Sequence, residues 1–239
     1  MAEEIRTRVS LAGSSPIDGT VDAGLRAYML RVYNYMASAL ALSGIVALAV
    51  SSSETLVNLI WGSPLQWVVL LAPLGLVFFI SARVNKMSAA AVQTTFWIYA
   101  ALMGVFLSYI FLVYTPVSIV RVFFITAATF GAMSLYGYTT KKDLTGWGSF
   151  LFMGLIGIII ASVVNIFLAS PALYFAVSVI GVLIFVGLTA YDTQKIRNMY
   201  LAADGHEVAT KKAVMGALTL YLDFINLLLM MLRLFGERR

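Results

Sequence analysis

One carboxylate interrupts the last long apolar run of the sequence. The stretch YLDFINLLLMML begins at Tyr221 and contains Asp223 as its only charged residue. An ionised group in hydrocarbon is costly, so such a residue is usually paired, neutralised by a proton, or functional. Among the eleven acidic residues, only Asp192, in the segment GLTAYDTQKI, also falls within or against an apolar run. Asp192 and Asp223 are therefore the leading candidates for chemistry in this chain.

The polar residues around Asp223 follow a helical spacing. Gly216, Thr219, Asp223, Asn226 and Met230 recur at intervals of three or four residues, which places them on one narrow stripe of a helix. This stripe is the most polar part of the segment, so it should face the interior of a helix bundle or a water-filled cavity. The sequence predicts Thr219 and Asn226 as supporting polar groups beside Asp223.

The chemistry of the two acids depends on whether they meet. Two carboxylates close together in a poorly solvated site cannot both ionise cheaply, so they would share a proton. Raising the pH would charge the pair, and the repulsion would separate the helices or attract a cation. Calcium prefers six to eight oxygen ligands, so Asp192 and Asp223 would form only a weak, transient calcium site. On the predicted boundaries Asp223 lies ~15 Å inside its span, whereas Asp192 ends the preceding span near the surface.

Simpler interpretations stay open for two of these residues. Asp192 can be solvated at the membrane interface or paired with Lys195 one turn later. Arg83, in the segment FFISARVNKMS, is a candidate counter-charge for the acids. The sequence favours the simpler explanation, which is that Arg83 is a topology residue whose long side chain reaches the interface.

The composition identifies the environment that must position these groups. The chain has 239 residues, of which 61% are hydrophobic and 11% charged, and its mean hydropathy is +0.93. A soluble domain is about half apolar and about a quarter charged, so the composition predicts a polytopic membrane protein. Cysteine is absent, which excludes disulfides and thiolate chemistry. The formal net charge of +5 comes from basic residues in short loops, so it predicts membrane topology and not nucleic-acid binding.

The apolar runs predict an all-α integral membrane protein with seven transmembrane helices, since a helix needs about 20 apolar residues to cross a bilayer. Six runs are clear, and a seventh contains Asp223. Their approximate ranges are 28–50, 64–82, 89–113, 119–139, 147–169, 172–192 and 213–235. The sequence thus divides into a flexible cytoplasmic N-terminal tail over residues 1–25, a transmembrane domain over 26–235 and a short C-terminal tail over 236–239.

Loop charges predict the orientation of the spans. Basic residues concentrate in the N-terminal segment and in alternate loops, and the opposite loops contain only Arg121. The positive-inside rule therefore places the N-terminus in the cytoplasm. A seventh crossing would put Arg233, Arg238 and Arg239 on the opposite side. Either the rule fails at the end of the chain or the last segment is re-entrant, and its length favours a full crossing.

Three segments resemble a known family. GLTAYDTQKIRNMY, LYLDFINLLLMMLRLFG and the earlier SARVNKMS are similar to the Bax inhibitor family of transmembrane proteins, and the hydrophobic layout agrees beyond about residue 25. The resemblance implies a seven-helix fold in which the other six helices surround the last one. It also implies a calcium leak, with calcium as the permeant ion, no cofactor, and Asp192 and Asp223 as a proton-sensing pair. Arg83 matches an arginine that latches the closed state in bacterial members by pairing with the first aspartate.

The resemblance also bears on location and partners. Short tails and the absence of glycosylation sequons suggest a bacterial inner (plasma) membrane protein. Some bacterial members are associated with a membrane-bound protease, so a non-conducting regulator that binds such a protease or another membrane protein is an alternative function. An intramembrane aspartyl protease is a less favoured alternative, because its second aspartate follows a Gly-x-Gly pattern whereas Asp223 follows Leu220, Tyr221 and Leu222.

Overall fold

A computed structural model of the protein describes residues 16–239, with side chains from residue 23 onward. Its regular elements are α-helices joined by short connections, and one short 3₁₀ turn, Val84–Lys86, follows the third helix. The helices are α1 (Pro16–Ser51), α2 (Glu54–Trp61), α3 (Leu65–Arg83), α4 (Ala89–Val113), α5 (Pro116–Thr139), α6 (Thr145–Leu168), α7 (Pro171–Asn198) and α8 (His206–Phe235).

Local sequence signals explain where several of these helices begin. Ser88 caps α4 by accepting a hydrogen bond from the backbone N–H of Ala91 at 3.2 Å. Helices α5 and α7 each begin with proline, which is tolerated in the first helical turn because its missing N–H would be unpaired there. Thr115 and Ser170 cap these two helices. The caps satisfy backbone donors at the membrane boundary, where the apolar runs start.

Seven of the eight helices are long and apolar enough to cross a membrane, and α2 is a short connecting helix. The buried share of the apolar stretch is 72% in α8 and 11% to 44% in the other six. Helices α1, α4, α5 and α7 contact α8 directly, whereas α3 packs mainly on α4 and α6 on α7. The predicted all-α membrane fold with a central C-terminal helix is therefore confirmed, with α3 and α6 as outer helices.

Large apolar side chains cover the outer surface of this bundle. Phe78 on α3 is 72% exposed and Phe167 on α6 is 84% exposed. In water such a surface would be costly, but in a bilayer it contacts lipid tails. The outer helices are therefore apolar on faces that no other helix covers.

Aromatic and hydroxyl contacts fix α8 against three of its neighbours. The Tyr221 hydroxyl lies 2.7 Å from Ser43 Oγ of α1, and its ring packs edge-on against Tyr99 of α4 with centroids 5.9 Å apart. Phe224 packs against Phe130 of α5 with centroids 5.5 Å apart. The remaining buried face of α8 packs against α7.

The C-terminal tail lies at the end of the bundle where α4 turns into α5. The backbone N–H of Thr115 donates to the Glu237 carbonyl at 3.0 Å. Arg121 forms an ion pair with Glu237 at 3.1 Å, and the Arg238 guanidinium donates to the Tyr174 hydroxyl at 3.3 Å. Because α8 is one uninterrupted helix, this position agrees with a full crossing and not with a re-entrant segment.

Three predicted boundaries were wrong, and one of them is the start of α8, which is His206 and not residue 213. Residues 16–25 belong to helix α1 and not to a flexible tail, while residues 1–15 lie outside the described part of the chain. Helix α7 does not end at Asp192 but continues to Asn198. The polar residues after Asp192 suggested a membrane boundary. Thr193 and Gln194 among them are instead buried by contacts with α5 and the α5–α6 loop, and the helix continues past them.

Candidate functional site

Two close contacts set the register of α7 against α8. Gly181 of α7 lies against Met230, and Gly216 of α8 lies against Ile196, at positions where an added Cβ would approach these side chains within 3.0 Å. Near the loop, Lys212 Nζ donates to the Met199 carbonyl at 3.0 Å. Small residues let antiparallel helices approach closely. This register places Asp223 about one turn, or ~5.4 Å, deeper than Asp192.

The structure brings Asp192 and Asp223 together. Their carboxyl groups lie within hydrogen-bonding reach of each other, and the residues are only 9% and 5% exposed. The depth difference of ~15 Å expected from the sequence shrinks to about one turn, because α7 continues past Asp192 and α8 begins before the predicted span. A hydrogen bond between two carboxyl groups requires that one of them holds a proton. The two carboxyl groups are therefore placed so that a proton held by either one forms a hydrogen bond to the other.

The pair is not neutralised by a basic side chain. Within the part of the chain whose side chains are described, neither Asp192 nor Asp223 forms an ion pair, and the buried Oδ2 of Asp223 has no hydrogen-bond partner. Lys195 is the nearby cation on α7, but it is exposed and its ammonium lies 6.0 Å from the centroid of the Tyr191 ring. The interpretation of Asp192 as a solvated interfacial acid does not fit its burial.

Arg83 does not reach the pair in this structure. It is exposed in the last turn of α3, and α3 packs mainly on α4 and not on α7. The structure therefore brings together the two predicted aspartates but leaves the predicted latch residue apart from them. Its role as a latch stays a prediction.

The predicted polar stripe of α8 is divided between two environments. Gly216, Asp223 and Met230 face α7. Thr219 and Asn226 are half-buried beside them and bond to carbonyls of their own helix, those of Met215 at 3.1 Å and Leu222 at 2.9 Å. These two side chains therefore lie at the edge of the site without linking α8 to another helix.

Residues next to Asp192 hold it in place and were not identified from the sequence. Thr193 Oγ1 lies 3.0 Å from Ser134 Oγ of α5. Gln194 accepts a hydrogen bond from the Leu144 N–H and donates to the Lys142 carbonyl, both at 2.8 Å. The sequence signal that could have identified them is the run Asp192, Thr193 and Gln194 in YDTQK. Consecutive residues of a helix point in different directions, so each of these polar side chains, when buried, needs a hydrogen-bond partner of its own.

The hydroxyl contact at Thr193 extends to a third helix. Ser134 Oγ lies 2.6 Å from the Tyr33 hydroxyl of α1. Thr193 also donates to the Thr189 carbonyl in the preceding turn at 2.7 Å. Tyr33, Ser134 and Thr193 thus form a hydroxyl chain that connects α1 and α5 to the residue beside Asp192.

The pair supplies two carboxylates and no larger metal-binding cluster. In the described part of the chain, no group of three or more His, Asp or Glu side chains is placed to hold a metal ion. Calcium takes six to eight oxygen ligands. The two carboxylates would need water or backbone oxygens to complete such a set, so the pair by itself does not supply the ligands of a tight calcium site.

Together the fold and the site define a polytopic α-helical membrane protein with a buried aspartate pair between its last two helices. The chain belongs to the Bax inhibitor family: the family model described as "Inhibitor of apoptosis-promoting Bax1" matches residues 25–239. The resemblance seen in the sequence is confirmed over nearly the whole chain.

Curated relatives from distant bacteria agree with this assignment. The inner membrane protein YbhL of Escherichia coli is 50% identical over 220 residues, which cover 91% of this chain and 94% of that protein. An uncharacterized protein of Rickettsia prowazekii is 51% identical over 220 residues, covering 92% of this chain and 93% of the relative. A Borreliella burgdorferi protein is 47% identical over 214 residues, which cover 89% of this chain and 92% of that protein. The similarity therefore includes both aspartate-bearing helices.

Proposed function

We propose that this protein is a pH-sensitive calcium leak channel in which protonation of the Asp192–Asp223 pair controls opening. The observation that supports the proposal is the meeting of two buried carboxyl groups on separate helices, with no ion pair to either one among the described side chains. A buried acid in a membrane bundle is by default a functional group.

The proposed gating follows from the charge of the pair. At low pH the shared proton joins α7 to α8 through a hydrogen bond. When that proton leaves, two negative charges about 4 Å apart repel each other by ~4 kcal/mol at an effective dielectric constant of about 20. This energy is large enough to change a conformational equilibrium by several hundredfold or more. The repulsion separates α7 from α8, and the ionised carboxylates attract a cation to the opening.

Calcium is the proposed permeant ion, and the protein is proposed to need no cofactor. Two carboxylates provide negative charge and hard oxygen ligands, which calcium prefers. They provide too few ligands for tight binding, and an ion that must leave the site again requires weak binding. The pair therefore suits passage and not storage.

Orientation and location complete the proposal. We place the N-terminus and the basic loops in the cytoplasm, following the positive-inside rule. We place the protein in a bacterial inner membrane, since its Escherichia coli relative is named an inner membrane protein. The Asp192 end of α7 then lies near the cytoplasmic surface, so the pair responds to cytoplasmic pH.

Calcium flux into liposomes tests the proposal. Purified protein is reconstituted at known orientation, and flux is measured with a calcium dye from about pH 6 to pH 8. We expect wild-type flux to rise with pH, and both Asp192→Asn and Asp223→Asn to lose this pH dependence. Asp143→Asn is the matched control, since Asp143 is an exposed acid in the α5–α6 loop, and it should behave as wild type.

Two results would redirect the assignment. If the correctly folded wild-type protein shows no calcium flux that depends on Asp223, as judged against Asp223→Asn, the channel function is overturned. That result would favour the non-conducting regulator, which binds a membrane protease or another membrane protein. Cleavage of a membrane peptide that is lost in both Asp→Asn variants would instead favour the intramembrane aspartyl protease.

A further inference from the structure

We propose that the groove between α1 and α5 binds one anionic phospholipid, with an acyl chain along the groove and the phosphate at Arg26. This site lies on the outer side of the bundle and is separate from the aspartate pair. The proposal does not depend on calcium conduction.

The groove is a defined cavity of about 560 Å³ between the two helices. Met29, Met36 and Leu40 line it from α1, and Phe130 and Leu135 line it from α5. The volume falls within the ~300–1,000 Å³ range of small-molecule sites. Methionine side chains adapt to irregular apolar ligands, which suits a flexible hydrocarbon chain.

The dimensions of the groove match one leaflet of a bilayer. Its lining on α1 runs from Arg26 to Leu40, a length of ~21 Å at 1.5 Å per residue. With its headgroup region included, one leaflet spans about half of the ~40–45 Å bilayer, or ~20–22 Å. A phospholipid with its phosphate near Arg26 would therefore extend its acyl chain to the level of Leu40 without leaving its leaflet.

Two hydroxyl groups in the groove wall, those of Tyr33 and Ser134, already have hydrogen-bond partners. The Tyr33 hydroxyl lies 2.6 Å from Ser134 Oγ, and Ser134 Oγ lies 3.0 Å from Thr193 Oγ1. Since these hydroxyls bond to each other, they present no unpaired donor or acceptor to a hydrocarbon chain. The wall is therefore compatible with a lipid tail along its length.

The charge at one end of the groove selects an anionic headgroup. Arg26 lines that end and is exposed, and Tyr138 lines it from the last turn of α5. Arg197 donates to the neutral carbonyls of Tyr138 and Thr140. Because Tyr138 lines this end of the groove, the positive charge of Arg197 adds to that of Arg26 there. Basic pockets between transmembrane helices bind anionic headgroups, and each basic residue near the surface contributes about 1 kcal/mol.

Gly131 provides a way to close the groove without disturbing the fold. It lies in the groove wall, and an added Cβ there would meet open space and not a neighbouring atom. A leucine at this position would fill the cavity. Ala37 lies on the opposite wall and is exposed, so Ala37→Trp closes the groove from the other helix.

Native mass spectrometry of the full-length protein in detergent tests the site. The protein is titrated separately with phosphatidylglycerol, phosphatidylcholine and soluble glycerol phosphate. We expect one phosphatidylglycerol to be retained at low lipid concentration, weaker retention of phosphatidylcholine, and no retention of glycerol phosphate. Arg26→Ala should lower phosphatidylglycerol affinity about fivefold, the equivalent of about 1 kcal/mol, and leave phosphatidylcholine binding unchanged.

The groove-closing variants decide where the lipid binds. Gly131→Leu and Ala37→Trp should both lose the retained lipid, whereas Gly157→Leu, at an open position on α6, should keep it. Melting temperatures check that each variant is folded. Retention of phosphatidylglycerol by both folded groove variants would overturn the site, and equal binding of glycerol phosphate would show that a soluble anion, and not a lipid, is recognised.

Discussion

The carboxyl groups of Asp192 and Asp223 lie within hydrogen-bonding reach of each other, although each belongs to a different transmembrane helix. Close packing at Gly181 and Gly216 sets the helix register that allows this contact. A hydroxyl contact at Thr193 and two amide contacts at Gln194 hold α7 in place beside the pair. The site is thus built by packing on several sides of one short segment.

The shared proton should make thermal stability depend on pH. In the proposed mechanism, the folded protein at low pH holds a proton between Asp192 and Asp223 that separated carboxylates release more readily. Stability is therefore fully present at low pH and is lost as the pH rises. The loss begins near pH 4, the ordinary range of a free aspartate, so we expect the wild-type melting temperature in detergent to fall by several degrees between about pH 4 and pH 8, at about 2–4 °C per kcal/mol.

Asp223→Asn should remove the pH dependence of the melting temperature, because an amide donates a hydrogen bond to Asp192 without a titratable proton. The control is Asp143→Asn. Hydrogen bonds from the Thr145 hydroxyl and backbone N–H lower the pKa of Asp143, which stays mostly ionised over the whole range. An unchanged pH dependence in Asp223→Asn would contradict proton sharing by the pair.

The contact between α5 and α7 should be sensitive to a single methyl group. Gly137 faces the backbone of Ala190, and an added Cβ would overlap with the carbonyl there. A backbone cannot move aside as a side chain can, so Gly137→Ala should destabilise the protein by ~1–3 kcal/mol. The measurement is thermal unfolding in detergent.

Gly131→Ala on the same helix is the matched control, since its Cβ would meet open space. Alanine has a higher helix propensity than glycine, so this variant should be neutral or slightly more stable. Equal effects of the two substitutions would mean that close packing at Gly137 does not matter.

The hydroxyl contact between Ser134 and Thr193 should appear in a double-mutant cycle. Ser134→Ala and Thr193→Val each remove one partner of the 3.0 Å contact. We expect a coupling energy of ~0.6 kcal/mol, the average for such contacts in membrane bundles. The Thr129 hydroxyl donates to a carbonyl of its own helix, that of Ile125 at 2.9 Å, so Thr129→Val should show no coupling to Thr193→Val. Equal coupling in both cycles would exclude a specific contact.

The latch role of Arg83 has a direct test in flux. If Arg83 pairs with Asp192 in a closed conformation, Arg83→Ala should leak more calcium at low pH than the wild type, by about fivefold or more for an ion pair of about 1 kcal/mol. Lys86→Ala is the control, because Lys86 is an exposed cation in the adjoining 3₁₀ turn. Equal leakage in the two variants would leave Arg83 as a residue that only sets topology.

Much of the fold was predictable from the sequence because it depends on local properties. Apolar runs of sufficient length gave the seven spans, and the final boundaries differ by few residues except at α1, α7 and α8. Those three helices extend beyond the apolar runs, since polar residues at their ends are held by helix hydrogen bonds and by contacts such as Lys212 with Asp204 at 2.6 Å. Hydropathy detects the part of a helix that spans the bilayer, but it does not detect the polar turns by which the same helix continues beyond the bilayer.

The candidate site was only partly predictable. The cost of burying a carboxylate identified Asp192 and Asp223 individually. Ser134 and Tyr33 gave no comparable signal, because a serine or tyrosine in a membrane helix is ordinary until a partner on another helix is known. Thr219 and Asn226 lay on the expected stripe, yet they bond to their own helix.

The sequence by itself determined that this chain forms a bundle of membrane-spanning helices and that two of its acids carry an unusual energetic cost. Both conclusions follow from the composition of single segments in a bilayer. Only the tertiary structure decided that these acids face each other, that Arg83 lies apart from them, and that a groove remains between α1 and α5. These features depend on helix register and on contacts between residues far apart in the chain, for which a single sequence contains no distance information.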